Sequence, residues 1–377
     1  MEYIALKDVC KINMGQSPES SSYNDTGDGI PFFQGNADFG ERYPVTRVWC
    51  NSPTKIAEAG DILISVRAPI GALNYAREQC CIGRGLAAIT PDQTKISSEF
   101  VYWFLKGKNA ELNSKGTGST FKAIGRKVLE ETLVPNMGVE QQHVFALNLE
   151  KVYSIIQLRK QELQDLDALI KARFVEMFGD ESNPYNWPVI NVEEVAKVSV
   201  GVVIKPAQYY TDEEHGVKAF RSLNIGPMTI KDGDWVYFSY EGNAKNAKSQ
   251  LKENDLLIVR SGAPGTACVV PKQYEGCNAI DIIIARPNTE RITPYYLCTY
   301  TNMPHGKRQI EEGTGGAAQQ HFNVGKYNKL RLMLPPMERQ DEFVDFIAQV
   351  DKSKFAVQKS LDETQTLFDS LMQKYFG

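Results

Sequence analysis

The chain has 377 residues, 42% of them hydrophobic, which is material for two or three soluble domains, and no apolar run in it reaches membrane-spanning length. The Met1-Glu2-Tyr3 start lacks a signal-peptide pattern, and seven scattered cysteines with no Cys-x-x-Cys support neither a disulfide framework nor a zinc site, so a reducing cytoplasm is expected. A formal net charge of −4 excludes a uniformly basic nucleic-acid binder.

Residues 1–138 read as a mixed α/β domain. An opening element at 6–12 is followed by a Ser/Gly/Asp-rich loop at 15–29 and a strand pattern at 30–36. The apolar run at 60–67, Gly-Asp-Ile-Leu-Ile-Ser-Val-Arg, has a turn before it and Ala68-Pro69-Ile70-Gly71 after it, the pattern of a buried strand that ends in a surface loop. Another strand pattern spans 80–91 and passes through Gly83-Arg84-Gly85. A short helix is expected at 98–105, then a Gly-rich loop, Lys115-Gly116-Thr117-Gly118-Ser119-Thr120-Phe121, and a closing element at 128–135.

Residues 139–179 follow as a long helix. Phe145, Leu149, Val152, Ile156, Leu163, Leu166, Ile170 and Met177 recur at steps of three and four, with Arg159 and Arg173 completing the register. Forty residues at 1.5 Å each would extend roughly 60 Å, farther than one compact domain needs. Residues 180–336 then repeat the order of the first domain. Asn254-Asp255-Leu256-Leu257-Ile258-Val259-Arg260 answers the run at 60–67, Ala219–Asn224 answers 33–36, and Gly313-Thr314-Gly315-Gly316 answers the first Gly-rich loop.

Residues 337–377 repeat the long helix. A shift of 198 places Glu140 on Glu338, Gln142 on Gln340, Phe145 on Phe343 and Phe178-Gly179 on Phe376-Gly377. Seam positions differ in kind: Ile156 meets Lys354, Arg159 meets Val357 and Arg173 meets Leu371, offsets that suit two helices packed on each other. The expected fold is therefore α/β (mixed α+β). Two duplicated domains are separated by two long helices in an antiparallel coiled coil with pseudo-twofold symmetry.

Charge is distributed unevenly. Residues 1–138 carry 15 basic and 15 acidic side chains, 180–336 carry 17 of each, and the helices hold the deficit. The cations concentrate at comparable places, Lys106–Lys127 in the first domain and Lys307, Arg308, Lys326, Lys329 and Arg331 in the second. A neutral domain with one basic face can bind DNA through that face.

The duplicated runs, the Gly-Thr-Gly loops, and the Pro-x-x-x-x-Glu-Gln-Gln start of the first helix with its Pro-Pro-Met-Glu-Arg-Gln counterpart together resemble the specificity subunit of type I restriction-modification systems. The resemblance implies that 1–138 and 180–336 are target recognition domains, each reading half of a bipartite sequence in double-stranded DNA. It also implies that the helices space them and dock two modification subunits, that restriction subunits join through those, and that the chain has no catalytic activity, cofactor or metal of its own.

The residues agree with a non-catalytic role. Asn183-Pro184-Tyr185 is only a partial echo of a methyltransferase Asn/Asp-Pro-Pro-Tyr/Phe turn, no phosphate-binding loop for a nucleotide occurs, and the four histidines form no metal or acid-base spacing. Arg pairs with guanine and Asn or Gln with adenine, so the candidate base contacts are Gln34, Asn36, Arg67 and Arg84 in the first domain and Arg221, Asn224, Arg260 and Asn278 in the second. Lys115, Thr117, Ser119, Lys122, Lys307 and Arg308 are the candidate phosphate contacts. A coiled-coil assembly scaffold whose α/β domains bind proteins is the alternative reading.

Overall fold

The computed structural model describes residues 2–118, 122–313 and 322–377. The chain divides into two compact units, Met1–Lys160 with Lys359–Gly377, and Gln161–Gln358, each holding one α/β domain and part of each long helix.

In the first unit an antiparallel sheet runs Cys10–Met14, Leu86–Pro91, Ile62–Ser65, Leu73–Tyr75. Its two inner strands are buried on both faces, which is why they read as unbroken apolar runs rather than alternating ones. One face packs Ile62, Ile64, Ala87 and Ile89 against Phe100, Trp103 and Phe104 of the helix Ser98–Gly107. The other sets Leu63, Leu86 and Ala88 against Phe33 and Ile82 of a second, five-stranded sheet. In that sheet Ile30–Phe33 and Cys80–Ile82 lie parallel, side by side.

The second unit reuses this frame. Its antiparallel sheet runs Ala196–Val200, Ile282–Pro287, Leu256–Val259, Ala267–Val269, and Gly216–Phe220 lies parallel to Asn278–Ala279. The turn before the buried strand is equally duplicated. Gly60 and Asn254 both take positive φ, 88° and 71°, the region glycine and asparagine tolerate best. The aspartate after each turns back on the chain: Asp61 accepts from the Glu58 N–H at 2.9 Å, and Asp255 from the Lys252 N–H at 2.8 Å.

The long helices span Val139–Phe178 and Met337–Phe376. Within the first unit Phe145 stacks on Tyr375 with ring centroids 3.8 Å apart, and Tyr153 meets Phe368 at 6.1 Å. Within the second, Asp167 pairs with Lys354 at 2.6 Å and Phe174 meets Phe343 at 5.4 Å. In both, numbering falls along one helix as it rises along the other, so the helix segments are antiparallel. Lys354 is tolerated on the seam because Asp167 faces it. The seams also enter the domain cores: Leu149 and Ile156 share a cluster with Trp103, and Ile170, Phe174 and Phe178 share one with Tyr296.

The Gln of each helix start is a buried clamp. Gln142 Oε1 accepts the Ser97 N–H at 2.8 Å while its Nε2 donates to Met137 O at 2.8 Å and Lys95 O at 3.2 Å. Gln340 repeats this on the Thr293 N–H at 2.9 Å, Pro335 O at 2.9 Å and Arg291 O at 3.3 Å. Ser97 and Thr293 are themselves the N-caps of the helices they precede.

Candidate nucleic-acid interface

The buried strand Ile62–Ser65 continues into Val66, whose N–H donates to Gly85 O and whose carbonyl accepts from the Ile124 N–H, both at 2.9 Å. The next residue, Arg67, is therefore turned to the opposite side and is exposed. The Ala68 N–H donates to Lys122 O at 3.0 Å, which brings Lys122 beside the same loop. From the other side comes Gly83-Arg84-Gly85. A Cβ on Gly85 would lie 2.4 Å from Gln34 O, so only glycine lets this loop press against the end of the strand Ile30–Phe33. Ser17 Oγ ties the pieces together, accepting from Gln34 Nε2 at 2.9 Å and from the Arg84 N–H at 3.3 Å.

As a result all four first-domain candidates, Gln34, Asn36, Arg67 and Arg84, line one cavity of about 210 Å³. Arg67, Arg84 and Lys122 have no carboxylate partner among the described residues, unlike Arg42, Lys95, Lys108, Lys115, Arg126 and Lys127, each of which has one. Converging amide and guanidinium groups beside an unpaired lysine can bond base edges and a phosphate together. Ser17 escaped the sequence reading; its place in a polar loop carries no signal without the fold.

The second domain does not gather its candidates. Asn278 is fully buried, its amide donating to Asn243 Oδ1 at 2.8 Å and its oxygen accepting from Ser249 Oγ at 2.7 Å. Asn224 is also fully buried, accepting the Arg221 N–H at 2.9 Å and donating to Gly233 O at 2.7 Å. Both are corrections to the expected base contacts: with their amide groups consumed inside, they build loops. Arg260 is a third. Pairing of Ile282 with Val259 and of Leu86 with Ser65 puts Arg260 at the position of Val66, one residue off the Arg67 match suggested by sequence. One residue in a strand reverses the face, so Arg260 turns inward to Asp281 and donates to Phe322 O at 3.0 Å. Ser261 is the counterpart of Arg67. Arg221, which follows Phe220 as Gln34 follows Phe33, donates to Asp234 O.

The candidate phosphate contacts separate similarly. Lys122 is exposed, as is Thr117, whose backbone bridges Ala123. Lys115 pairs with Glu111 at 2.6 Å. Ser119 and Phe121 lie outside the described residues, as do Thr314, Gly315, Gly316 and His321. Arg308 pairs with Glu181. Lys307 is corrected: it is half-buried, donating to Pro264 O at 3.3 Å and Thr266 Oγ1 at 3.1 Å, and burial pushes its ammonium down to about 8. Lys106 is half-buried, 4.0 Å over the Tyr153 ring, and is likewise pushed down by burial to about 8. Asn183 closes a turn on Trp187, and buried His305 rests against Phe174 and Tyr300, its basicity lowered by desolvation.

The first helix carries a second apolar stripe that its seam pattern conceals. Val144, Leu147, Ile155 and Leu158 are 54%, 54%, 45% and 68% exposed, and at 100° per residue they fall on one face. The eleven-residue steps 144→155 and 147→158 were the signal for it. Among the described residues no helix is long and apolar enough to cross a membrane, and no group of three or more His, Cys, Asp or Glu side chains is placed to hold a metal ion.

The sequence pattern of the type I restriction modification DNA specificity domain matches residues 1–168 and again 179–364. The chain belongs to that family. Among its relatives, a putative type I restriction enzyme MjaX specificity subunit from Methanocaldococcus jannaschii is 42% identical over 157 residues, 42% of this chain and 37% of that protein. The type I restriction enzyme EcoBI specificity subunit from Escherichia coli is 19% identical over 407 positions that cover 99% of this chain and 85% of that one. The fold is that of the S subunit of a type I restriction-modification system from M. genitalium, with a TM-score of 0.60 at 14% identity, covering 100% of this chain and 96% of that one. As a member of the specificity-domain family this chain is a DNA-recognition subunit rather than a catalytic one.

Proposed function

We propose that residues 1–138 read one half of a bipartite DNA site and residues 180–336 the other. The helices at 139–179 and 337–377 set their spacing and dock two modification subunits, through which restriction subunits join, and the complex acts in the cytoplasm. The observation that carries the reading is the cavity in which Gln34, Asn36, Arg67 and Arg84 converge, bordered by cations that no carboxylate among the described residues neutralises. Arg67 and Arg84 serve as guanine readers, Gln34 and Asn36 as adenine readers, and Lys122 holds a phosphate. In the second domain Arg221 and Ser261, at the positions of Gln34 and Arg67, take the base-reading role. The exposed stripe Val144, Leu147, Ile155 and Leu158 supports docking of a partner helix or sheet on the long helix.

The test is co-expression with the modification subunits, followed by sequencing of methylated bases. A split motif is expected, and exchanging residues 1–138 for those of another such subunit changes one half alone. A single continuous motif, or two unaltered halves after the exchange, refutes the assignment.

A further inference from the structure

The loop that follows the buried strand is pinned in both domains by the same carbonyl, but with different chemistry. In the first domain the loop Arg67-Ala68-Pro69-Ile70 ends at Gly71, whose N–H donates to Ser65 O at 2.9 Å. Ile70 O then accepts two side-chain amides, Asn109 Nδ2 at 3.1 Å and Asn113 Nδ2 at 2.8 Å. In the second domain Gly265 donates to Val259 O at 3.0 Å in the same way, so Pro264 stands where Ile70 stands. Pro264 O accepts not an amide but the Lys307 ammonium, which also reaches Thr266 Oγ1.

We propose that Lys307 is a positioning residue for DNA recognition, clamping the loop 261–266 so that the half-site read by the second domain, and only that half-site, depends on the positive charge of one lysine. This rests on the reading of these loops as base-facing. A charged donor holds a carbonyl about twice as strongly as a neutral one, so loss of the charge loosens the second loop while the asparagine-held first loop is indifferent. Lys307 also lines a cavity of about 290 Å³ with Met228 and Met303, and burial of its ammonium lowers its affinity for the proton. Among the described residues the charged and titratable groups facing it are few. Glu311 on its own helix and the Cys298 thiol raise its pKa, Asp167 across the cavity is engaged by Lys354, and Lys171 is the cation on that rim. The sign follows: the clamp is charged below about pH 8 and is lost as pH rises through that value.

The experiment uses the chain assembled with its modification subunits and a duplex bearing the methylation-defined site. Affinity is compared with duplexes carrying one substitution in either half. In the wild-type complex, discrimination in the second-domain half falls between pH 7 and 9 with a midpoint near 8, and discrimination in the first-domain half stays level. Lys307→Met lowers the former by roughly tenfold at pH 7, and Lys307→Arg restores it and removes the pH dependence. Conversely, Asn113→Ala affects only the first-domain half. An equal response of both halves, or a pH-independent wild type, overturns the clamp. Because the wild-type pH profile needs no substitution, a variant that fails to fold leaves the test intact. Should exchange of residues 180–336 leave both halves unaltered, it is the recognition reading that fails, and the clamp's own signature, protection of the Thr266 amide from hydrogen exchange by Lys307, is measured without DNA.

Discussion

Replacing Gln142 by methionine keeps the side-chain volume but removes both polar ends of a clamp that is 2% exposed. The Ser97 N–H loses its acceptor at 2.8 Å and Met137 O its donor at 2.8 Å; the third bond, to Lys95 O at 3.2 Å, is longer and its residue lies at the surface, where water replaces it. One buried and one part-buried group left unsatisfied at about 1–3 kcal/mol each give an expected loss of about 2–6 kcal/mol for the first unit. Gln340→Met should cost the second unit a similar amount, through Thr293 N–H and Pro335 O. Urea unfolding read from tryptophan fluorescence reports on both, since Trp49 and Trp103 lie in one unit and Trp187 and Trp235 in the other. Gln141→Met, exposed one position earlier, is the control and should change stability by less than about 0.5 kcal/mol. If Gln142→Met costs no more than Gln141→Met, the glutamine does not fasten the helix to the domain.

Arg67→Ala is expected to relax preference at one base pair by about 1–3 kcal/mol, whereas Lys122→Ala should weaken all sequences alike and reduce the salt slope by about one; competition binding at several salt concentrations separates these outcomes. Gly85→Ala forces a Cβ against Gln34 O at 2.4 Å and should abolish recognition of the first half-site while leaving the second readable, checked by methylated-base sequencing. Leu158→Glu, at a 68% exposed position, should leave the unfolding midpoint within about 0.5 kcal/mol of wild type yet impair co-purification of a modification subunit; unchanged assembly would remove the exposed stripe from the docking surface.

The duplicated architecture was legible in the chain because its signals are local and repeated. Helix periodicity depends on residues three and four apart, and the shift of 198 aligns Gln142 with Gln340 and Phe178 with Phe376 without knowledge of any distant contact. The Gly-Asp and Asn-Asp turns before the buried strands were equally plain, since a positive φ restricts the residue type at the spot itself.

Base-reading candidates were legible only in the first domain, where Gln34, Asn36, Arg67 and Arg84 meet because Gly85 and Ser17 let separate segments touch. In the second domain the same residue types went elsewhere. Asn224 and Asn278 were consumed by backbone and side-chain partners up to 35 residues away, and Arg260 was turned inward by a register difference of one residue. Lys307 looked like an exposed cation and is half-buried, donating to Pro264 O. The sequence by itself determined the repeat, the helices and the buried strands, because these follow from short-range periodicity and backbone restriction. Only the tertiary structure decided which polar groups remain free to meet DNA, because that depends on which distant hydrogen-bonding partners each side chain finds when the strands pair and the loops close.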